Sequence, residues 1–411
     1  MHSPRPKEDT MKKLLTLALL TATSALAQTT LTYSSFTTDA THLDDMKALI
    51  AAFEKENPDV KVNLVTAPFD SYFTKLQTDI AAGSAPDVFD LNYENFVTFA
   101  SKNALRPLAA SLAPANTFYP AALNAFKYGG KQYALPISFS TVVLFYNKDL
   151  FDKAGVKYPT ASWKWADVLA AAQKINNPTA RVYGIHQPIQ FWEFYKVAQQ
   201  AGGGLKVGDK VEIDTPANRT ALHYLVDKVR VQKVMPDAAQ MSGVASEDMF
   251  LNGQLGMLVS GVWMFDKFSP AKFKWDIAVE PGNARKATHF FSNAVAVSAT
   301  SKNAAAAEKW AKFLSSSPTV AARRIASNWE LPALSLSQRT LIAPYLARPL
   351  PSNREAVFDS LQYAVTPPVV DQQSQLQDIV NQELEAASLG TKTVEQALAS
   401  AQQRVQALLG K

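Results

Sequence analysis

Between Leu31 and Phe89 the sequence switches repeatedly between the period of a strand and the period of a helix, and that alternation limits the fold more than any other feature. Leu31 to Phe36 is apolar and β-branched enough for a strand, and Thr41-His42-Leu43-Asp44 has the form of a capping box that opens a helix. Leu43, Met46, Leu49, Ile50 and Phe53 then share one helical face until Asn57-Pro58 stops it. Val60 to Leu64 alternates as a second strand. A second helix is expected over Ser71 to Ala82, with Gly83-Ser84-Ala85-Pro86 as the turn into a buried strand at Asp87-Val88-Phe89. The order β-α-β-α-β predicts a parallel sheet with helices on its faces.

The alternation returns after Thr141 to Tyr146, with helices expected at Ser162 to Lys174, Phe191 to Gln200 and Pro216 to Gln232. Ala294 to Ser298 reads as a further strand leading into a helix at Asn303 to Leu314. The tail from Asp371 to Leu409 is polar, alanine-rich and helical, with an apolar stripe through Leu376, Ile379, Val380 and Leu384. A chain of this length exceeds what one core usually supports, so two α/β lobes are expected.

Lys12 and Lys13 precede the apolar run Leu14 to Leu20, which ends in Ala25-Leu26-Ala27. This is the order of a secretory signal peptide, with the mature chain expected to begin at Gln28. Met1 to Thr10 carries no export signal, so Met11 is the expected initiator and residues 1–27 are set aside from the fold. The chain has no cysteine. That excludes disulfides, thiolate metal sites, cysteine nucleophiles and a lipid-modified cysteine anchor, and it points to a soluble periplasmic or secreted protein. The net charge of +5 falls to about +3 without the leader, and the remaining Lys and Arg are scattered. A nucleic-acid partner is therefore not expected.

Catalytic and nucleotide motifs are missing. Gly202-Gly203-Gly204 lacks the dinucleotide pattern, and the spacing from Gly203 to Gly208 ends in Asp209 where a phosphate loop needs Lys. His42, His186, His223 and His289 are isolated, with no zinc-protease or nucleophile-elbow pattern. No metal and no cofactor is expected.

Three ordered motifs are more specific. They are Lys75 to Phe89 (KLQTDIAAGSAPDVF), then Tyr133 to Pro136 (YALP) with Leu144 to Phe151 (LFYNKDLF) and Ala154-Gly155, then Phe250 to Met257 (FLNGQLGM) with Gly261-Val262-Trp263. In this order and spacing the chain resembles the extracellular solute-binding proteins of carbohydrate-uptake ABC transporters, the class that includes maltose- and multiple-sugar-binding proteins. The resemblance implies a type II periplasmic-binding-protein fold: two discontinuous α/β lobes joined by crossover hinge strands, with the ligand between them. It places the crossings near Ser138 to Thr141, Phe291 to Ala294 and Leu331 to Leu334. The lobes are then 28–138 with 294–330, and 139–293 with 331–411.

Ligands of open α/β sheets sit beyond the carboxyl ends of the strands. Those loops hold Ser35 and Phe36, Asn92 and Tyr93, and Ser140 at the first crossing. A sugar needs flat aromatic faces for its C–H surfaces and fixed polar groups for its hydroxyls. The resemblance matches Trp192, ahead of Gly202-Gly203, and Trp263 to the family's binding aromatics. Trp329 and Glu330, near the third crossing, offer a further ring and a hydroxyl acceptor.

One departure bears on the ligand. The family usually has a Gly-Gly pair before the strand that re-enters the first lobe, and here Phe291 and Ser292 stand there. Phe291 adds an apolar wall where glycine would admit the ligand to the backbone, and Asn293 becomes a further hydroxyl-binding candidate. The expected function is a monomeric receptor that closes on a sugar or polyol and presents it to an ABC permease. Two other readings stand beside it. One is a secreted glycoside hydrolase, which needs two carboxylates. The other is a receptor for a polyamine or phosphodiester, to which Glu193 beside Trp192 lends support.

Overall fold

A computed structural model describes Met1 and residues 28–114, 117–207, 210–334 and 339–410 of the chain. The expected leader after Met1, and Gly208-Asp209, lie outside the described residues. The ten strands of the main sheet are β1 (Thr29–Ser35), β2 (Val60–Thr66), β3 (Val88–Asn92), β4 (Ala134–Asn147), β5 (Tyr183–His186), β6 (Leu255–Gly261), β7 (Trp275–Ala278), β8 (Thr288–Val297), β9 (Leu331–Pro332) and β10 (Ala364–Val365). The path through them is β2-β1-β3-β8-β4-β6-β5, with β7 and β9 also on β4 and β10 on β8.

The expected parallel sheet is present in β2-β1-β3, whose order follows from the helices α1 (Ala40–Glu56) and α2 (Phe69–Ala81) crossing over between strands. Helix α1 starts two residues earlier than the capping-box reading. Asp39 is its N-cap and accepts from the Thr41 and His42 amides at 3.0 and 3.2 Å, so Thr41 lies inside the helix. The strand expected at Ala294 to Ser298 begins six residues sooner, at Thr288, and runs antiparallel to both β3 and β4. Beyond α6 (Ala304–Ser316) and α7 (Pro318–Ala326), the C-terminal tail is two helices, α8 (Gln373–Leu389) and α9 (Val394–Leu408), broken at Gly390. Gly390 has φ +74°, and a Cβ there would lie 2.1 Å from the Arg230 guanidinium. No helix among the described residues is long and apolar enough to cross a membrane.

Strand β4 joins the lobes. Its 14 residues are all buried and span roughly 46 Å at ~3.3 Å per residue, enough to run through both halves of the sheet. Because neighbouring strand residues face opposite ways, Val143 and Phe145 enter one apolar core of the second lobe while Val142, Leu144 and Tyr146 enter another. Upstream, Leu135 and Ile137 pack with Leu31, Tyr33, Val88 and Trp310 in the first lobe. At the junction, Phe139 pairs with Ser292 of β8 on one edge and with Leu331 of β9 on the other. The β4–β8 register shifts between Asn293 and Ala294, a bulge that bends the strand between the lobes.

Two polar clusters sit inside this apolar frame. In the first lobe Asp90, in the middle of β3, accepts the Tyr33 and Ser35 hydroxyls, both at 2.7 Å. Burial raises its carboxyl to about 6, against the lowering effect of those two hydrogen bonds and of Arg324. Ser35 is therefore committed beneath the strand ends: it is fully buried and its hydroxyl is used on Asp90, which corrects its placement as a ligand residue.

In the second lobe, α4 (Phe191–Gln200) packs on α5 (Pro216–Arg230) over a buried ionic network. The Lys196 ammonium meets Glu193 at 2.7 Å and also Glu280, and all three side chains are essentially unexposed. Lys228 donates to Gln187 at 2.8 Å, and Gln187 in turn donates to Glu193. Burial pushes Glu280 up to about 7 and Lys228 well below the usual lysine range. The network fixes α4 against the sheet, and with it the first turn that carries Trp192.

Two expectations follow. The raised Asp90 carboxyl keeps its proton in the folded state up to about pH 6, so its contribution to stability is fullest in acid and is lost as pH rises through that value. Asp90→Asn should thus gain stability relative to the natural chain between pH 4 and pH 8, by up to about 3 kcal/mol, read from urea midpoints. Lys196→Met strands two buried carboxylates without their cation and should cost about 3–5 kcal/mol. Removing the exposed Lys47 of the Lys47–Asp44 pair should change stability by less than ~1 kcal/mol in the same assay.

Candidate functional site

A cavity of about 490 Å³ opens where the carboxyl ends of β1 and β3 face the second lobe. It is lined from three directions. The first lobe supplies Phe36 after β1, Phe69 at the start of α2, Asn92 at the end of β3, and Glu94 and Asn95 in the first turn of α3 (Tyr93–Ser101). The crossover segments supply Phe291, Asn293 and Glu330. The second lobe supplies Phe191 and Trp192 from α4, Trp263 after β6, and Gln377 and Asn381 from α8.

The aromatic wall is built around Phe291. Its ring lies edge-on to Trp192 at 5.6 Å and to Trp263 at 5.3 Å, and it stacks on His289 at 3.6 Å. The bulk that replaces the glycine pair thus joins two tryptophans from separate elements into one surface. Trp263 reaches its place because Gly261 has no side chain: a Cβ there would sit 1.9 Å from the indole ring. Both tryptophans are half-buried, and Trp192 satisfies its indole N–H on Gln190 at 2.8 Å. Phe36 and Phe69 meet edge-on at 5.4 Å to form the first lobe's apolar face.

The polar groups differ in what they have left to offer. Asn92 caps α3, its Oδ1 accepting from the Asn95 backbone and side chain at 3.2 and 2.9 Å. Its cap role and its cavity position coexist, since the amide nitrogen has no part in the cap. Asn293 donates to both Glu330 oxygens at 2.8 Å, and the Ser138 hydroxyl donates to one of them. Arg324 lies 3.8 Å from the same carboxylate. Glu94 is 5% exposed; one oxygen is hydrogen-bonded to His289 Nε2 at 2.8 Å, while the other is buried with no partner. Asn381 accepts the first amide of α4, from Phe191, at 2.7 Å.

Of the residues picked from sequence, Phe36, Asn92, Trp192, Trp263, Asn293 and Glu330 are brought together in the cavity. Besides Ser35, three others are placed elsewhere. Ser140 is fully buried in β4, its hydroxyl turned to the Thr141 carbonyl at 3.4 Å, because it occupies the inside of a paired strand. Tyr93 points away from the cavity, one position from Asn92 but about 100° further round the helix start, and lines a separate crevice behind the hinge. Trp329 stacks on His42 at 4.7 Å with Arg324 over its ring at 4.2 Å, so it packs against α1. Glu193 also faces away, into the Lys196 network, which removes the acidic neighbour that a polyamine site would have used.

Sequence reasoning missed Phe69, Glu94, Asn95, Phe191, Gln377 and Asn381. Glu94 and Asn95 could have been found, since the turn that follows Asn92 must begin at the cleft. Gln377 and Asn381 sit beside the apolar stripe Leu376, Val380 and Leu384, and nothing local marks them. The histidines are structural or peripheral: His186 is half-buried and lowered to about 4 by desolvation, and His223 pairs with Glu395 at the surface. Among the described residues no group of three or more His, Asp or Glu side chains is arranged to hold a metal.

Residues 39–321 match the family described as bacterial extracellular solute-binding protein. An ABC substrate-binding protein from Listeria monocytogenes, solved in complex with cycloalternan, is 46% identical with a TM-score of 0.90, over 93% of this chain and 99% of that one. A putative binding protein of Brucella abortus is 27% identical over 64% of this chain and 66% of its own length. The arabinooligosaccharide-binding protein of Bacillus subtilis is 28% identical over 62% and 60%. The match thus spans slightly less than two thirds of these curated relatives. On the extent of the family match and on the near-complete structural likeness, the chain belongs to the bacterial extracellular solute-binding proteins.

Proposed function

We propose that this chain is the substrate-binding component of an ABC importer, which closes on a neutral carbohydrate or polyol and delivers it to a membrane permease. The observation that carries the reading is the cavity wall of Trp192, Phe291 and Trp263 facing a set of amides and one carboxylate oxygen with no partner. Aromatic faces cover the C–H surfaces of a sugar, and Asn92, Asn95, Gln377 and Asn381 suit hydroxyls that both donate and accept. The free Glu94 oxygen is the strongest acceptor offered: a buried carboxylate oxygen without a donor costs energy that a ligand hydroxyl recovers.

The Listeria relative captured with cycloalternan supports an oligosaccharide, and the arabinooligosaccharide-binding relative supports the same class. The lobes in this reading are 28–138 with 294–330, and 139–293 with 331–411, and they close about the bulged crossing. The receptor works as a monomer outside the cytoplasmic membrane, without a lipid anchor, after removal of residues 1–27. Binding residues come from both lobes, which is what allows a ligand to favour the closed form. Catalysis is not supported. Glycoside hydrolysis uses two carboxylates, whereas Glu330 turns both oxygens to Asn293 and Ser138 and leaves Glu94 alone with an oxygen to present.

A thermal-shift screen of the mature chain against mono- to oligosaccharides, cycloalternan included, polyols, polyamines and phosphodiesters should give its largest shift with a neutral carbohydrate. No shift with any of them would overturn the ligand class, and release of reducing sugar from a glycoside would overturn the non-enzymatic reading. Trp263→Ala should weaken binding roughly 10- to 100-fold in calorimetric titration while the ligand-free chain keeps its fold. Gly261→Ala should weaken it as well, since the added methyl occupies the space of the Trp263 ring. A Gly261→Ala variant with natural affinity would show that the ring position is not needed.

A further inference from the structure

The first turn of α3 does more than line the cavity, and the rest of this reading rests on the proposed two-lobe receptor. Three consecutive residues there each meet a different part of the second lobe. The Tyr93 hydroxyl lies against the Thr366 side chain, in the crevice behind the hinge. Glu94 is hydrogen-bonded to His289, on the second-lobe end of β8, at 2.8 Å. Asn95 accepts the Ser374 hydroxyl, from the first turn of α8, at 3.4 Å.

These contacts fan out because successive helical residues point about 100° apart, so one turn can touch three surfaces that surround it. Asn92 caps the turn and fixes its geometry. Thr366 and Ser374 do not line the cavity. The Tyr93–Thr366 contact is therefore independent of anything a ligand touches, and the Asn95–Ser374 contact has one partner, Ser374, outside the cavity.

We propose that the first turn of α3 is a closure latch, which draws the lobes together through Tyr93, Glu94 and Asn95 and so sets how much of the ligand-free receptor is closed. Tyr93 and Ser374 are positioning residues in this scheme: they act on affinity through the closed fraction and not by contact. A ligand's apparent affinity falls in proportion to the fraction of molecules in the competent state, so loosening the latch weakens binding of every ligand by one factor.

The sequence has no cysteine, so spin labels can be placed cleanly at Lys47→Cys in the first lobe and Val231→Cys, an exposed site in the second. Pulsed electron-electron distance measurements on the ligand-free protein should show a short, closed population. Tyr93→Phe with Ser374→Ala should move that population toward longer distances, lowering the closed fraction roughly three- to tenfold. Titration with cycloalternan should show the same factor in Kd, with one closed distance at saturation for both proteins. A distance distribution unchanged from the natural chain would overturn the latch. If the double variant does not fold, Tyr93→Phe alone is read by the same criterion. The ligand-free comparison decides the latch by itself. Failure of every carbohydrate to bind would instead overturn the receptor reading on which it rests, and the two failures are distinguishable.

Discussion

The pairing of β4 with β8 and β9 at Phe139 is the contact on which the rest of the molecule depends. Each strand belongs to one lobe on one side of this point and to the other lobe on the other side. Two backbone ladders on three strands therefore meet where the cores separate, and no side chain is required to hold the lobes in one molecule. The bulge between Asn293 and Ala294 interrupts the ladder at the same place, and an interrupted ladder bends more readily than a continuous one. The constraint also places chemistry. Phe291, Asn293 and Glu330 enter the cavity because the crossings pass along its base.

Around that base the two lobes contribute unequal surfaces. The first offers strand ends and the capped start of α3, rich in amides and in one carboxylate with an idle oxygen. The second offers rings, held by features outside the cavity: the buried network of Lys196, Glu193 and Glu280 behind Trp192, and the bare backbone of Gly261 beneath Trp263. Burying these three ionisable groups to orient a helix is costly, and pairing them is what makes the arrangement tolerable. Phe291 connects these separately supported rings, so the departure from the glycine pair shapes the binding surface as a whole.

Much of the framework was legible in the sequence. The strand–helix alternation gave the lobes, and the helix over Phe191 to Gln200 was placed to the residue. Errors at element ends came from local competition. Asp39 outcompeted Thr41 as a cap because a carboxylate accepts two amides at once, and Gly390 broke a tail whose composition reads as one long helix. Of the cavity residues, those beside a recognisable strand end or motif were found: Phe36, Asn92, Trp192 and Trp263. Gln377 and Asn381 were not, because their position depends on α8 folding back from the far end of the chain.

The sequence by itself determined the class of fold and the presence of rings and amides near the crossings, since both follow from periodicity and from residues close together in the chain. It could not decide which way each side chain points once strands pair. Ser35 and Asn92 both end strands of the same sheet, yet one is spent on buried Asp90 and the other opens to the cavity. Tyr93 and Glu94 are neighbours, yet one faces the crevice behind the hinge and the other the cavity. Those outcomes belong to the tertiary structure, because they are set by partners 55 to 195 residues away, Asp90 for Ser35 and His289 for Glu94, that only the folded sheet brings within hydrogen-bonding reach.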